Sequence, residues 1–162
     1  MHKTVLIGIV IALVGLLADQ ATKGAILSTF EADPFAKIPV TSFFDLVLVW
    51  NYGISYGLFQ AGSQAEVFFL IAIKVAITLA LIIWLVRNTD LLTAVALGLL
   101  IGGAIGNTID RIIHGAVVDF VSLHAAGFYW YVFNLADVWV VAGVALLLYD
   151  AFIVHRGQKV AD

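Results

Sequence analysis

Several residue types are absent or scarce in this chain, and each scarcity removes a class of function. Cysteine is absent, which excludes disulfides and thiol chemistry. The four histidines are scattered and show no HExxH-like spacing, so no metal site is expected. Basic residues number 8 against 11 acidic ones, a balance that argues against nucleic acid as a partner.

Apolar residues, in contrast, are abundant. The chain of 162 residues is 63% hydrophobic and only 12% charged, with a mean hydropathy of +1.08. A soluble domain of this length is usually about half apolar and about a quarter charged, and it could not bury so much apolar surface in its own core. The composition therefore predicts an integral membrane protein.

Four apolar stretches are long enough to cross a bilayer, which takes about 20 mostly apolar residues. They cover residues 5–27, 65–86, 91–113 and 132–153. The first stretch is too long for a cleaved signal peptide, and no small-residue cleavage site follows it. We therefore predict four transmembrane helices.

Two longer links join these spans. In the first, residues 43–59 alternate partly and are rich in Val, Phe and Tyr, which indicates short strands or an interfacial ribbon. The second, residues 114–131, is expected to be irregular. The predicted fold class is an all-α integral membrane protein with four transmembrane helices and a small extracytoplasmic β-like segment between helices 1 and 2. Residues 1–162 are expected to form a single domain.

Flanking charge indicates the orientation. One set of basic residues lies beside the two termini and the short second link, and the other set lies beside the two long links with most of the acidic residues. The first set comprises Lys3, Arg87, Arg156 and Lys159, and the second comprises Lys23, Lys37 and Arg111. Aromatic residues also cluster in the long links, as they do at membrane interfaces. We expect both termini in the cytoplasm and both long links outside.

Two carboxylates, Asp119 and Asp137, lie near opposite ends of the second long link. A link that returns the chain to a neighbouring antiparallel helix can bring its own ends together. Two carboxylates that share one proton can act as a general acid–base pair and titrate as a unit. The alternative is that each carboxylate is solvated separately or caps a helix, and spacing alone leaves both possibilities open.

The outer ends of spans three and four each present an amide beside a carboxylate at helical spacing. Asn134 lies on the same helical face as Asp137, and Asn107 shares a face with Asp110 and Arg111. The asparagines could orient a carboxylate or bind a peptide backbone, or they could serve polar packing between helices. For Asp110 we favour a structural ion-pair network with the neighbouring Arg111. For Arg111 itself, a structural role and a contact with substrate both remain open.

Two lysines in or beside the apolar spans need partners. Asp19 and Lys23 are four residues apart at the end of the first span, which favours a local salt bridge at the interface. Lys74 lies near the middle of the second span and could snorkel, pair with a carboxylate or line a pore. These three roles for Lys74 remain open.

A stripe of small residues and a glycine-rich loop complete the pattern. Gly98, Gly102 and Gly106 recur every four residues, which predicts close approach of another helix. In the first long link, Asn51 and Gly53 belong to an aromatic, turn-forming stretch. That stretch could cover a peptide substrate or be an ordinary interfacial loop.

Five sequence blocks occur in an order that resembles the lipoprotein signal peptidases, the type II signal peptidases of bacteria. The blocks are DQATK (19–23), NYGISYG (51–57), GNTIDR (106–111), VVDF (117–120) and FNLAD (133–137). The resemblance covers nearly the whole chain. Each block alone is a weak signal, but all five in order on a chain of this length and topology are specific.

The resemblance implies an aspartyl endopeptidase of the bacterial inner membrane, with its active site toward the outer face and no cofactor. It makes Asp119 and Asp137 the catalytic pair. Supporting or substrate-binding roles fall to Asn51, Gly53, Asn107, Asp110, Arg111, Asn134, Asp19 and Lys23. The implied substrate is a prolipoprotein whose cysteine carries diacylglycerol, cleaved just before that cysteine with the acyl chains in membrane lipid. Globomycin-type cyclic peptides are expected to inhibit it.

One block departs from the family pattern, and two other functions compete with the protease. The family loop is usually close to N-x-G-A-A-F, whereas this chain has Ile54, Ser55 and Tyr56 in the last three places. A small proton-coupled transporter or channel subunit would also explain carboxylates in a membrane, but the acidic groups gather at one face. A scaffold protein would tolerate amides in place of these carboxylates.

Overall fold

The computed structural model describes residues 3–53, 64–88 and 90–154. Its helices are α1 (Lys3–Thr29), α2 (Gln64–Arg87), α3 (Leu91–His114) and α4 (Leu135–Tyr149), the last continuing into a π-helical turn at Asp150–Val154. Within the described ranges, four helices are long and apolar enough to cross a membrane. The four predicted spans are thus confirmed, although α4 begins at Leu135 rather than near residue 132.

Both long links contribute strands to one antiparallel sheet. The strands are β1 (Ile38–Thr41), β2 (Phe44–Asn51), β3 (Val117–Ala125) and β4 (Phe128–Tyr129), and they lie side by side in chain order. The strands expected between helices 1 and 2 are present. The expectation that residues 114–131 would be irregular is wrong, because β3 and β4 form there. Since β2 pairs with β3, the two links meet at the same end of the helices.

Strand β3 carries a weak sequence signal because both of its faces are covered. Its first four residues, from Val117 to Phe120, are all buried, so apolar and polar residues do not alternate as they do on a strand with one wet face. Val118 and Phe120 pack with Ile26 and Phe30 of the first helix and its end, forming a small apolar core beneath the sheet. This core attaches the sheet to α1.

Helix α3 is the central helix, and its two ends are well defined. It packs against α1, α2 and α4. Asp90 caps its beginning by accepting a hydrogen bond from the amide of Thr93 at 2.7 Å. Gly115 ends it with a left-handed conformation (φ 74°) and donates its amide to the carbonyl of Arg111. This turn leads directly into β3, so the end of α3 determines where Asp119 lies.

The predicted glycine stripe lies against α1. A Cβ atom on Gly98 would meet the carbonyl of Gly8, and one on Gly102 would meet the carbonyl of Ala12 at 2.6 Å. A Cβ atom on Gly106 would meet the carboxylate of Asp19. The stripe therefore brings the two helix backbones together, and it leaves room for a charged group of α1 beside α3.

We predict that Gly102→Ala destabilises the protein by about 1–3 kcal/mol, because the new methyl group meets backbone rather than a flexible side chain. Gly24→Ala is the matched control, since a Cβ atom there would have no neighbour within 4 Å. Alanine also favours a helix over glycine, so the control should keep or gain stability. Thermal unfolding in detergent measures both changes, and equal stability of the two variants would contradict the close approach.

Candidate active site

Asp119 is buried on β3 with an amide on each of its carboxylate oxygens. The antiparallel pairing of β2 with β3 brings Asn51 close, and its side-chain amide donates to Oδ2 at 2.9 Å. Asn134 donates to Oδ1 at 2.6 Å. Burial raises the pKa of Asp119, the hydrogen bond from Asn51 opposes this, and the charge of Asp137 adds to it, so that the resulting pKa is about 6. Asp119 therefore holds its proton to higher pH than an ordinary aspartic acid.

Asp137 is held at the start of α4 by a reciprocal cap. The side chain of Asn134 accepts the amide of Asp137 at 3.1 Å, and the carboxylate of Asp137 accepts the amide of Asn134 at 3.2 Å. Asn107 of α3 donates to the other carboxylate oxygen at 2.9 Å. The possibility that Asp137 caps a helix is thus realised. The cap also fixes the direction in which the carboxylate points.

The structure brings the two carboxylates to one small cavity of about 50 Å³. Its other lining residues come from five parts of the fold and are mostly polar. They are Asn51, Gly53, Lys74, Asn107, Arg111, Val117 and Tyr131. The cavity lies where the ends of α3 and α4 meet the sheet.

The two asparagines connect the carboxylates to each other. Asn134 donates to the side-chain oxygen of Asn107 at 3.1 Å as well as to Asp119. Asn107 in turn donates to Asp137. A continuous path of hydrogen bonds therefore runs from Asp119 through both amides to Asp137. A change in the charge of one carboxylate is felt at the other through this path.

Three charged residues form a buried network beneath the cavity. The ammonium of Lys23 lies 2.9 Å from Asp19 and 2.8 Å from Asp110, and it donates to Asn107 at 2.9 Å. The predicted Asp19–Lys23 pair is confirmed, but it is buried rather than at an open interface. Asp110 enters an ion-pair network, as predicted, but its partner is Lys23 on α1 and not the neighbouring Arg111.

The carboxylates of this network also hold backbone from other elements. Asp110 accepts the amide of Val118 at 3.1 Å, and Asp19 accepts the amide of Ala136 at 3.0 Å. Gln20 joins the two carboxylates by donating to Asp19 at 3.2 Å and to Asp110 at 3.0 Å. Sequence reasoning did not single out Gln20, although it lies inside the DQATK block.

Arg111 binds backbone carbonyls and thereby positions the end of β2. It donates to the carbonyl of Gly53 at 2.7 Å and to that of Asn107 at 3.2 Å. Asn51 accepts the amide of Gly53 at 3.1 Å, so the short turn that carries Asn51 is held at both ends. The departing positions Ile54, Ser55 and Tyr56 lie outside the described residues.

All eight supporting residues predicted from the sequence line the cavity, hydrogen-bond its carboxylates or belong to the buried Lys23 network beneath it. Lys74 and Tyr131, which were not predicted as site residues, line the cavity as well. The sequence shows Lys74 only as a charged residue in the middle of a span. The direction of its side chain depends on how α2 packs against the other helices. Among the described residues, no group of three or more carboxylate or histidine side chains is arranged to hold a metal ion.

Fold and site together define a class: a membrane protein of four helices whose buried carboxylates and amides line a cavity at the helix ends. Comparison with known proteins is more specific. A model of the signal peptidase (SPase) II family matches residues 11–153. The chain belongs to the signal peptidase II family of peptidases, and with its four spans it is a multi-pass protein of the bacterial inner membrane.

Curated relatives and solved structures agree with this membership. The lipoprotein signal peptidase of Nitrobacter hamburgensis is 53% identical over 150 residues, which cover 90% of this chain and 92% of the relative. That of Rhodopseudomonas palustris strain TIE-1 is 51% identical over 151 residues, covering 91% and 92%. A bacterial membrane enzyme solved by the in meso method at 1.9 Å superposes with a TM-score of 0.78 at 30% identity, covering 90% of this chain and 92% of that one.

We predict that Lys23→Met destabilises the protein by about 3–5 kcal/mol, because it leaves two buried carboxylates without their cation. Lys37→Met is the matched control. Lys37 also pairs with an aspartate, Asp45, at 2.7 Å, but its side chain is 47% exposed whereas that of Lys23 is 3% exposed. Asp45 is buried, but it keeps His124 as a second partner at 2.9 Å, so the control should lose clearly less stability than Lys23→Met. Equal losses in both variants would show that burial does not set the strength of these pairs.

Proposed function

We propose that this protein is an aspartyl endopeptidase that removes signal peptides from diacylglyceryl-modified prolipoproteins, cutting just before the lipidated cysteine. The main support is the pair Asp119 and Asp137, which line one cavity and are joined by two amides. Membership in the signal peptidase II family, and relatives named lipoprotein signal peptidase, supply the substrate class.

In the proposed mechanism the pair shares one proton. The ionised carboxylate takes a proton from water, and the oxygen of that water attacks the carbonyl carbon of the scissile peptide bond. The protonated carboxyl hydrogen-bonds the carbonyl oxygen as it gains negative charge. When the intermediate collapses, the carbon–nitrogen bond breaks and the leaving amine takes a proton from the pair. The pair then holds one proton again.

The surroundings of the cavity suit a substrate that is partly lipid. A second, mostly apolar cavity of about 920 Å³ adjoins it, and Asp137 and Tyr131 line both. Aromatic side chains of the second link and apolar residues of α4 form its walls, including Phe128, Trp130 and Val141. We infer that apolar parts of the substrate lie in this cavity or in the adjoining bilayer while its peptide bond reaches the carboxylates. Globomycin-type cyclic peptides would compete for the same place.

The proposed orientation puts both termini in the cytoplasm and the sheet at the outer face. The described sheet lies at one end of the helices, with Lys3 and Arg87 at the other, and basic residues favour the cytoplasmic side. Exposed aromatic residues near the sheet, among them Tyr129 and Trp130, fit an interfacial position. The carboxylates would then meet water from the outer side of the membrane.

We predict that Asp119→Asn and Asp137→Asn each abolish cleavage, because an amide can neither accept the proton of water nor donate as a carboxylic acid does. The measurement is a gel-shift assay with purified protein in detergent and a lipidated prolipoprotein. Asp45→Asn is the matched control, since Asp45 is equally buried but lies away from the cavity. Cleavage by wild type and the control alone, and only of lipidated precursor, supports the proposal.

Two results of this assay would overturn it. Wild-type cleavage rates in either cavity variant would remove the aspartyl mechanism. If folded wild type did not cleave at all, a proton-flux assay in liposomes would test the transporter function instead.

We also predict that kcat/KM falls as the pH rises through about 6. Burial raises the pKa of Asp119 to about 6, so below that pH the pair keeps a proton that an ordinary aspartic acid would have lost. Above it Asp119 loses this proton, and no carboxylic acid proton remains to hydrogen-bond the substrate carbonyl. Because bound substrate excludes water, the corresponding fall in kcat should occur at higher pH. A kcat/KM that still rises between pH 6 and 8 would contradict the shared-proton mechanism.

A further inference from the structure

Lys74 is a charged residue that lines the cavity, and the proposed mechanism gives it no role. It lies on α2, roughly 15 Å along the helix from Gln64, at about 1.5 Å per residue. Its side chain is half-buried and lines the small cavity together with Asp119, Asp137 and Arg111. An ionisable group at this depth is costly unless it meets polar or charged groups. Here it shares a cavity with the carboxylate pair.

The charges around the cavity can be counted from every element packed there. Four carboxylates and three cations lie in the cavity or in the buried Lys23 network beneath it, together with the phenol of Tyr131. They are Asp19 and Lys23 on α1, Lys74 on α2, Asp110 and Arg111 on α3, Asp119 on β3 and Asp137 on α4. Residues 54–63 contain no charged side chain or histidine. With one shared proton on the pair, three negative charges face three positive ones.

This balance depends on Lys74. Lys23 is committed to Asp19 and Asp110, and Arg111 donates to the carbonyls of Gly53 and Asn107. The charge of Lys74 interacts with those of Asp137 and Asp119. Without it, the cluster would carry a net negative charge in the state that the mechanism uses.

We propose that Lys74 is a positioning residue whose positive charge sets the pH range over which Asp119 and Asp137 together hold one proton. The inference rests on the proposed function, since it assigns a task within the same site. A nearby cation favours the ionised form of a carboxyl group. Removing it favours the protonated form, so each proton of the pair is held to higher pH. Both sides of the pH–activity profile then move upward.

The test is the pH dependence of kcat/KM for lipidated prolipoprotein cleavage by wild type, Lys74→Met and Lys74→Arg. We expect the profile of Lys74→Met to move to higher pH by roughly one unit. Its activity should fall by about tenfold on the acid side and rise on the alkaline side, since one pH unit corresponds to a factor of ten. Lys74→Arg keeps the charge and should keep the wild-type profile.

Arg87→Met is the matched control, because it removes one cation from the same helix about 20 Å away, at 13 residues of about 1.5 Å each. Its profile should match that of wild type. Thermal unfolding in detergent verifies that each variant is folded, and Lys74→Gln replaces Lys74→Met if the latter is not.

Two outcomes would overturn the inference. An unshifted Lys74→Met profile, even with uniformly lower activity, would assign Lys74 a structural role only. A shift of the same size in Lys74→Arg would show that shape rather than charge matters. These failures are distinct from failure of the proposed function, which is decided separately by whether Asp119→Asn still cleaves.

Discussion

The site depends on the buried contact between the Lys23 ammonium and the carboxylates of Asp19 and Asp110. Taking three charges out of water is costly. The cost is offset because each of the four carboxylate oxygens also accepts a hydrogen bond from a backbone or side-chain amide. Asp19 holds the start of α4 through the amide of Ala136, and Asp110 holds β3 through the amide of Val118. The elements that carry Asp137 and Asp119 are therefore fixed by one charged group of α1.

Asparagine suits the layer above this network because its side chain both donates and accepts. Asn134 caps α4, donates to Asp119 and donates to Asn107, so one residue positions both carboxylates. Asn107 accepts from Lys23 and donates to Asp137, which connects the ion pairs below to the cavity above. Neutral amides donate hydrogen bonds to the carboxylates without cancelling their charge, so the proposed exchange of a proton within the pair stays possible.

Composition and spacing predicted the four helices, the glycine stripe and the local Asp19–Lys23 pair, since each of these depends on neighbours in the chain or on bulk hydropathy. Strand β3 was missed because Val117 to Phe120 are all buried, which removes the alternation that marks a strand. The link from Lys23 to Asp110 and the direction of Lys74 depend on how separate helices pack. The eight supporting residues named by the family resemblance lie around the cavity, whereas the resemblance did not indicate Gln20 or Tyr131.

The hydrogen bond from Ala136 to Asp19 spans 117 residues of chain, and it has a consequence for biogenesis. Along the chain, α1 to α3 and β3 precede α4 and are therefore synthesised first. At that stage Asp119 is present, but Asp137 and the cap formed by Asn134 are not. The cavity that both carboxylates line is completed only when the last helix docks on the first. A chain whose last helix has not yet docked therefore has one carboxylate in place and no assembled cavity.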